Sequence, residues 1–358
     1  MGVDSNFWGN KSVFLTGHTG FKGGWMSLWL QSLGAKVTGF ALSPSSKPNL
    51  FEVSQVEKGM HSIIGDIRDL ENLKKAMQEA KPDILIHMAA QPLVRYSYSN
   101  PVETYATNVM GTVHVLEAAR ENKNIKAILN VTSDKCYENK EIDRGYREDE
   151  PMGGFDPYSN SKGCAELVSS AYRNSFFNID KYQTHGVAIA TARAGNVIGG
   201  GDWAEDRLIP DFMRSMEKKE KLRIRNPHAI RPWQHVLEPL SGYLILCQKL
   251  YEEGPSFSES FNFGPKEKDA KNVEWIASHI TKAWGEEAAY KVSGNVSSLH
   301  EAHFLKLDCS KANKKLGWQS KWDIHVALEK ICAWHKAHLK NEDMRQYSLN
   351  DINMYTLQ

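Results

Sequence analysis

Short apolar runs, separated by stretches of helical periodicity, constrain what this chain can fold into more than any other feature. The runs are Val13 to Leu15, Lys36 to Leu42, His61 to Ile64, Ile84 to Met88, Ala127 to Thr132 and Gly186 to Ala192. Between them, apolar spacing predicts helices over Gly24 to Ser32, Leu70 to Ala80, Pro101 to Asn122 and Ser159 to Phe177. Strands separated by helices of this length do not form hairpins; they pair in parallel through right-handed crossovers. The expected fold class is α/β, a Rossmann-type doubly wound parallel sheet, with a smaller, mostly C-terminal α/β lobe. Ligands of such a sheet lie beyond the C-terminal ends of its strands.

The first run leads into Thr16-Gly17-His18-Thr19-Gly20-Phe21-Lys22-Gly23-Gly24, followed by apolar Trp25, Leu28, Trp29 and Leu33. This reads as strand, glycine turn, helix. Glycines let backbone approach a pyrophosphate, and the helix N-terminus offers free N–H groups with partial positive charge. The spacing Gly17-x2-Gly20-x2-Gly23 departs from the usual G-x-G-x-x-G, so the segment alone also reads as an ordinary tight turn. The second strand ends Phe40-Ala41-Leu42-Ser43, without the carboxylate that commonly binds adenosine ribose hydroxyls. That segment therefore does not distinguish NAD from NADP.

Two further stretches carry chemistry: Val131-Thr132-Ser133-Asp134-Lys135 and Tyr158-Ser159-Asn160-Ser161-Lys162. A tyrosine ionises near pH 10, so one that accepts a proton at neutral pH needs a shift of about 3 units, roughly 4 kcal/mol. On a helix, Tyr158 and Lys162 share one face, and the Lys162 ammonium is expected to favour the phenolate. An exposed pair is the bland alternative.

Taken in order with Asp66-Ile67 after the third strand, Ala89-Ala90 after the fourth, Asn108 in a helix and Ser133 ending the fifth strand, these motifs resemble the extended short-chain dehydrogenase/reductase family. The likeness covers roughly residues 11 to 340 and is nearest to the nucleotide-sugar 4,6-dehydratases, in particular those acting on CDP-glucose. Three segments carry the narrower resemblance: Thr132 to Lys135, Arg193-Ala194-Gly195-Asn196-Val197-Ile198-Gly199-Gly200-Gly201-Asp202-Trp203, and Arg231-Pro232-Trp233-Gln234-His235-Val236.

The resemblance implies an enzyme using NAD, a lyase of deoxysugar and O-antigen biosynthesis that stores a hydride and returns it. It implies that Ser133, Asp134, Lys135, Tyr158 and Lys162 are catalytic, with Asp134 the acid that protonates the departing hydroxyl. Lys135 occupies the slot that usually holds a glutamate base. It would have to be neutral to act there, and simple pairing with Asp134 is its alternative. Cofactor contacts are implied for Gly17, His18, Thr19, Gly20, Phe21, Lys22, Gly23, Asp66, Ile67, Ala89, Ala90, Asn108, Tyr158 and Lys162. Substrate contacts are implied for Ser97, Asn196, Leu208, Ile209, Arg231 and Glu301. A nucleotide-sugar 4-epimerase would share much of this set with little need for Asp134-Lys135, and a non-catalytic cofactor sensor would not need the complete Ser133, Tyr158 and Lys162 relay.

After Arg193 the pattern changes to loops rich in Gly, Asp and Pro, a helix over Glu238 to Tyr251 and a short strand near Phe261-Asn262-Phe263. The expected division is a NAD-binding domain of residues 1–192 and 231–264, and a nucleotide-sugar domain of 193–230 and 265–358. The polar tail 341–358 is expected to be loosely held. The basic stretch Lys218 to Arg225 reads as a solvated helix end and edge strand, or as support for a substrate diphosphate.

A net charge of +1 provides no global field for nucleic acid or a membrane. Cys136, Cys164, Cys247, Cys309 and Cys332 show no C-x-x-C pairing, so reduced thiols and a cytoplasmic location are expected. His300 and His303 are the nearest histidine pair, and no metal is expected. Family likeness implies a homodimer or homotetramer.

Overall fold

The computed structural model describes residues 2–285, 288–292 and 305–358. Its centre is a seven-stranded parallel sheet: β1 Ser12–Thr16, β2 Lys36–Ala41, β3 His61–Ile64, β4 Ile84–His87, β5 Ala127–Val131, β6 Ala188–Ala194 and β7 Ser260–Phe263. The spatial order is β3-β2-β1-β4-β5-β6-β7. The chain leaves β1 in one direction and later restarts at β4 in the other, so the order reverses between β1 and β4 and opens a crevice there.

The central strands β1, β4, β5 and β6 are buried on both faces, which is why their runs read as nearly continuous apolar sequence, while the edge strand β3 stays partly exposed. Side chains alternate between two cores. Val13, Leu15, Ile84, Ile86 and Leu129 meet Trp25, Trp29 and Leu244 on one face. Phe14, Phe40, Leu85, Ile128 and Ile189 meet Leu73, Met77, Val115 and Leu116 on the other. A further apolar cluster lies outside the sheet, built from Ile209, Phe212, Ile224, Trp233, Ile276, Ile280 and Leu328.

Helices follow the expected periodicity with two differences. The Pro101 to Asn122 stretch is helical from Pro101 to Arg120, but Ala106–Met110 forms a π-helical segment within it. The tail is not loose: Met344–Thr356 is an α-helix, capped by the Asp343 side chain and packed on helix Phe21–Ser32. Tyr355 anchors it, stacking edge-on to Trp29 and Trp322 and donating a hydrogen bond to Glu238 at 2.7 Å. Among the described residues, no helix is long and apolar enough to cross a membrane. His300 and His303 lie outside the described residues.

Two glycines set the crevice. Gly17 has φ +82°, and a Cβ there would lie 2.7 Å from the Ala89 nitrogen, so the turns after β1 and β4 touch. A Cβ on Gly23 would lie 2.0 Å from the Gly17 carbonyl, so helix Phe21–Ser32 can start directly against the turn.

Candidate active site

Loops following β1, β4 and β5 wall a cavity of about 1270 Å³, which also reaches the apolar cluster outside the sheet. Tyr158, Lys162, Ser133, Asp134, Lys135 and Lys22 all line it. Tyr158 sits in the first turn of helix Pro157–Ser175, where Pro157 presets the backbone and Asp156 accepts from the Ser159 amide at 2.9 Å.

Burial pushes the Tyr158 phenol up to about 12, while the Ser133 hydroxyl and the more distant Arg207 draw it down. The Lys162 ammonium donates to the Val131 carbonyl at 3.4 Å. Burial also lowers Lys162, to about 8, against the opposing pull of Glu166 one helical turn further on.

Asp134 begins a short 3-10 turn, Asp134–Cys136, capped by Ser133. The Ser133 hydroxyl donates to Asp134 Oδ1 at 3.0 Å and accepts from the Lys135 amide at 3.2 Å. Asp134 Oδ2 is buried and has no hydrogen-bond partner among the described residues. The Lys135 ammonium stands 3.9 Å from Asp134 Oδ1, an ion pair at the outer limit of contact and without a hydrogen bond.

The glycine turn suits a dinucleotide pyrophosphate. Gly20 caps helix Phe21–Ser32 without a side-chain bond, leaving its first amides to a ligand. Thr19 donates to the Leu42 carbonyl at 2.8 Å and ties the turn to the end of β2. Phe21, Lys22 and Ala90 line the cavity, and the Ala89 amide donates to Thr16 Oγ1 at 3.1 Å. Asp66 stands at the end of β3, where Arg68 binds its carboxylate and holds it below the usual range.

Four expected contacts are redirected. His18 is buried between β2 and Phe51, with Nε2 2.8 Å from the Ser62 hydroxyl; it packs on Gly39, where a Cβ would meet the ring at 2.4 Å. Burial lowers its imidazole to about 4, which suits a packing role for the ring. Ile67 is core, packed on Gly111. Asn108 is buried and laces the loop after β4 to helix Pro157–Ser175, bonding both Gln91 backbone groups and Ser161. Ser97 is fully buried behind the wall and accepts from the Tyr158 amide at 3.1 Å, so it positions Tyr158 instead of facing a hexose.

Asn196, Leu208, Ile209 and Arg231 line the far part of the cavity. Glu301 lies outside the described residues. Within the basic stretch, Leu222–Ile224 is a strand paired with Tyr290–Val292, and Arg223 and Arg225 line the cavity.

A family model described as GDP-mannose 4,6 dehydratase matches residues 14–331. The chain belongs to this GDP-mannose 4,6 dehydratase family. It is 59% identical over 353 residues to the CDP-glucose 4,6-dehydratase of Salmonella typhimurium, covering 99% of this chain and 98% of that one. It is 26% identical over 342 residues to a UDP-glucose 4-epimerase of Halalkalibacterium halodurans, covering 91% and 96%. Among solved structures, the dTDP-glucose 4,6-dehydratase of Bacillus anthracis in complex with NAD aligns with TM-score 0.73 at 21% identity, covering 92% and 98%. An epimerase of Methanothermobacter thermautotrophicus aligns with TM-score 0.81 at 21% identity, covering 96% and 97%. These two likenesses show the fold.

In this member of the GDP-mannose 4,6 dehydratase family, the residues that sequence reading missed stand behind the wall. Arg193 Nη2 pairs with Glu166 at 2.7 Å, Nη1 donates to the Tyr137 hydroxyl at 2.7 Å, and Thr132 and Thr191 donate to the same Glu166. Burial pushes the Glu166 carboxyl up, but Arg193 and these donors outweigh it and hold it below the usual range. One signal was available: Tyr158, Lys162 and Glu166 repeat at four-residue spacing on one helix face. For Arg207 and Tyr243 the linear sequence holds no such signal.

Proposed function

We propose that this protein is a CDP-glucose 4,6-dehydratase that converts CDP-D-glucose to CDP-4-keto-6-deoxy-D-glucose and water, with NAD as its resident cofactor. The observation that carries this reading is the acid and amine, Asp134 and Lys135, beside Tyr158 on one cavity wall of a chain 59% identical to such an enzyme. An epimerase would have little use for that pair.

When bound, NAD would supply the acceptor in which the C4 hydride is stored until it goes to C6. The turn from Gly17 to Gly23 would hold its pyrophosphate with backbone amides. Tyr158, positioned by Ser97 and hydrogen-bonded to Ser133, removes the proton of the 4-hydroxyl. A ketone at C4 acidifies C5. Lys135, as the free amine, takes the C5 proton, and Asp134 delivers a proton to the departing C6 hydroxyl. Asn196, Leu208, Ile209 and Arg231 hold the nucleotide and its diphosphate, which lie in the lobe around the apolar cluster outside the sheet. The active form is a cytoplasmic homo-oligomer; exposed Val102, Met110 and Leu167 on the helices beside the site suit a contact between copies.

Purified protein incubated with NAD and CDP-glucose is expected to give a product lighter by one water. An unchanged mass with inverted C4 would replace the dehydratase reading with epimerisation. Lys135→Ala is expected to lose solvent deuterium exchange at C5, and undiminished exchange would remove Lys135 from the base role.

A further inference from the structure

Lys22 is the one residue of the glycine segment that sends a charged side chain into the reaction cavity. It occupies the second position of helix Phe21–Ser32, directly after the turn that suits a pyrophosphate. Its ammonium donates to the Tyr243 hydroxyl at 3.2 Å and stands over the Tyr243 ring. Tyr243 comes from helix Leu237–Glu253, which packs beneath β5. Among the described residues Lys22 has no carboxylate partner, and it shares its enclosure with Lys162 and Arg207 as well as Asp134. Burial and the Lys162 charge lower it to about 7.

A dinucleotide with its pyrophosphate on Gly17 to Gly23 and its reactive ring beside Tyr158 must pass Lys22. The oxidised ring carries a positive charge and the reduced ring is neutral. A phosphate, by contrast, carries the same charge in both forms. A cation beside the ring therefore separates the two forms, whereas a cation on the pyrophosphate treats them alike.

We propose that Lys22 faces the nicotinamide end of the bound cofactor and disfavours its oxidised form relative to its reduced form, biasing the stored-hydride stage of the reaction. This rests on the NAD-dependent reading above. Tyr243 is the positioning residue: it holds the Lys22 ammonium toward the cavity. The consequence is a cofactor pocket that opposes the resting, oxidised cofactor and favours the state in which the hydride has left C4.

The test is the ratio of dissociation constants, Kd(NAD+)/Kd(NADH), measured on the full chain without sugar nucleotide at pH 6.5. NADH fluorescence gives one constant and competition by NAD+ the other. In Lys22→Met and Lys22→Gln the ratio is expected to fall by about tenfold, while Lys22→Arg, which keeps the cation, stays near the unaltered protein. Equal weakening of both forms in the neutral variants, or loss of both, would place Lys22 on the pyrophosphate or in packing and overturn the proposal. Two neutral variants of different shape guard against one that folds poorly, with circular dichroism as the check. The measurement needs no CDP-glucose. A failed dehydration assay with a shifted ratio would overturn the proposed activity and leave Lys22 in place; a normal assay with an unshifted ratio would do the reverse.

Discussion

A Cβ on residue 195 would lie 2.1 Å from Oδ2 of Asp134. Gly195, just past the end of β6, leaves room for the acid carboxylate to lie flat against the backbone, with the Pro232 ring 3.0 Å from the same point on the other side. The side chain missing from one strand's end thus decides where the acid on its neighbour's end can sit.

Gly195→Ala is therefore expected to push Asp134 off its position and lower kcat by about 10²-fold or more, within the range of a lost general acid. The fold should persist, because the intrusion is into the cavity wall. Steady-state formation of the 4-keto product, alongside circular dichroism, checks this; near-normal turnover would show that Asp134 needs no such placement.

Ser133 is the group that draws Tyr158 down from a value that burial has pushed up to about 12. The base form is the phenolate, so turnover should climb with pH toward that value. In Ser133→Ala the phenol rises further, the climbing limb moves to higher pH, and kcat at pH 7.5 falls about tenfold for each unit of movement. Ser133→Thr keeps a hydroxyl and should recover most of the loss. An unmoved limb in the alanine variant would assign the lowering elsewhere.

Arg193 and Glu166 form a buried pair beneath the wall. Glu166→Gln leaves a buried guanidinium without its counter-charge, and a cost of about 3–5 kcal/mol is expected in urea unfolding. Adding Arg193→Met to Glu166→Gln should regain part of that cost, since the orphaned cation goes too. Strict additivity of the two single losses would mean that the residues do not act as a pair.

His335 is buried against Trp203 and Trp334, and neither ring nitrogen has a hydrogen-bond partner among the described residues. Burial lowers its imidazole to about 3, below the unfolded value near 6.5. A depressed folded value means the unfolded chain takes up the proton first. His335 thus lowers stability as pH falls from about 6.5 to about 3, by about 1.4 kcal/mol per unit. His335→Leu removes this slope, so its stability relative to the parent should improve by about 2 kcal/mol between pH 7.5 and pH 5. Urea midpoints at the two pH values decide it, and an equal difference at both would refute it.

Tyr355 joins the C-terminal helix to Trp29, Trp322 and Glu238. Tyr355→Ala should cost about 3 kcal/mol or more through lost aromatic burial and an underused buried carboxylate. A change near zero would mean that the helix is held by its other contacts.

Periodicity and turn chemistry made the sheet legible from the linear chain. A strand buried on both faces advertises itself as an apolar run, and its boundaries fell within two residues of Ser12–Thr16, Lys36–Ala41 and Ala188–Ala194. The shared face of Tyr158 and Lys162 follows equally from a local repeat, as does the place of Gly17 between strand and helix. What each polar side chain does with that place depends on neighbours distant in sequence. His18 turned to Ser62, Ser97 to the Tyr158 amide and Asn108 to Gln91, because a buried polar group must satisfy its hydrogen bonds wherever packing leaves a partner. The tail looked too polar to hold itself, and by itself it is; the aromatic surface that receives Tyr355 exists only once Trp29 and Trp322 have been brought together. Local sequence thus determined the scaffold and the reactive pair, while tertiary packing brought the Ser133 hydroxyl to the phenol and turned Lys22 inward, since burial and charge are properties of the assembled neighbourhood.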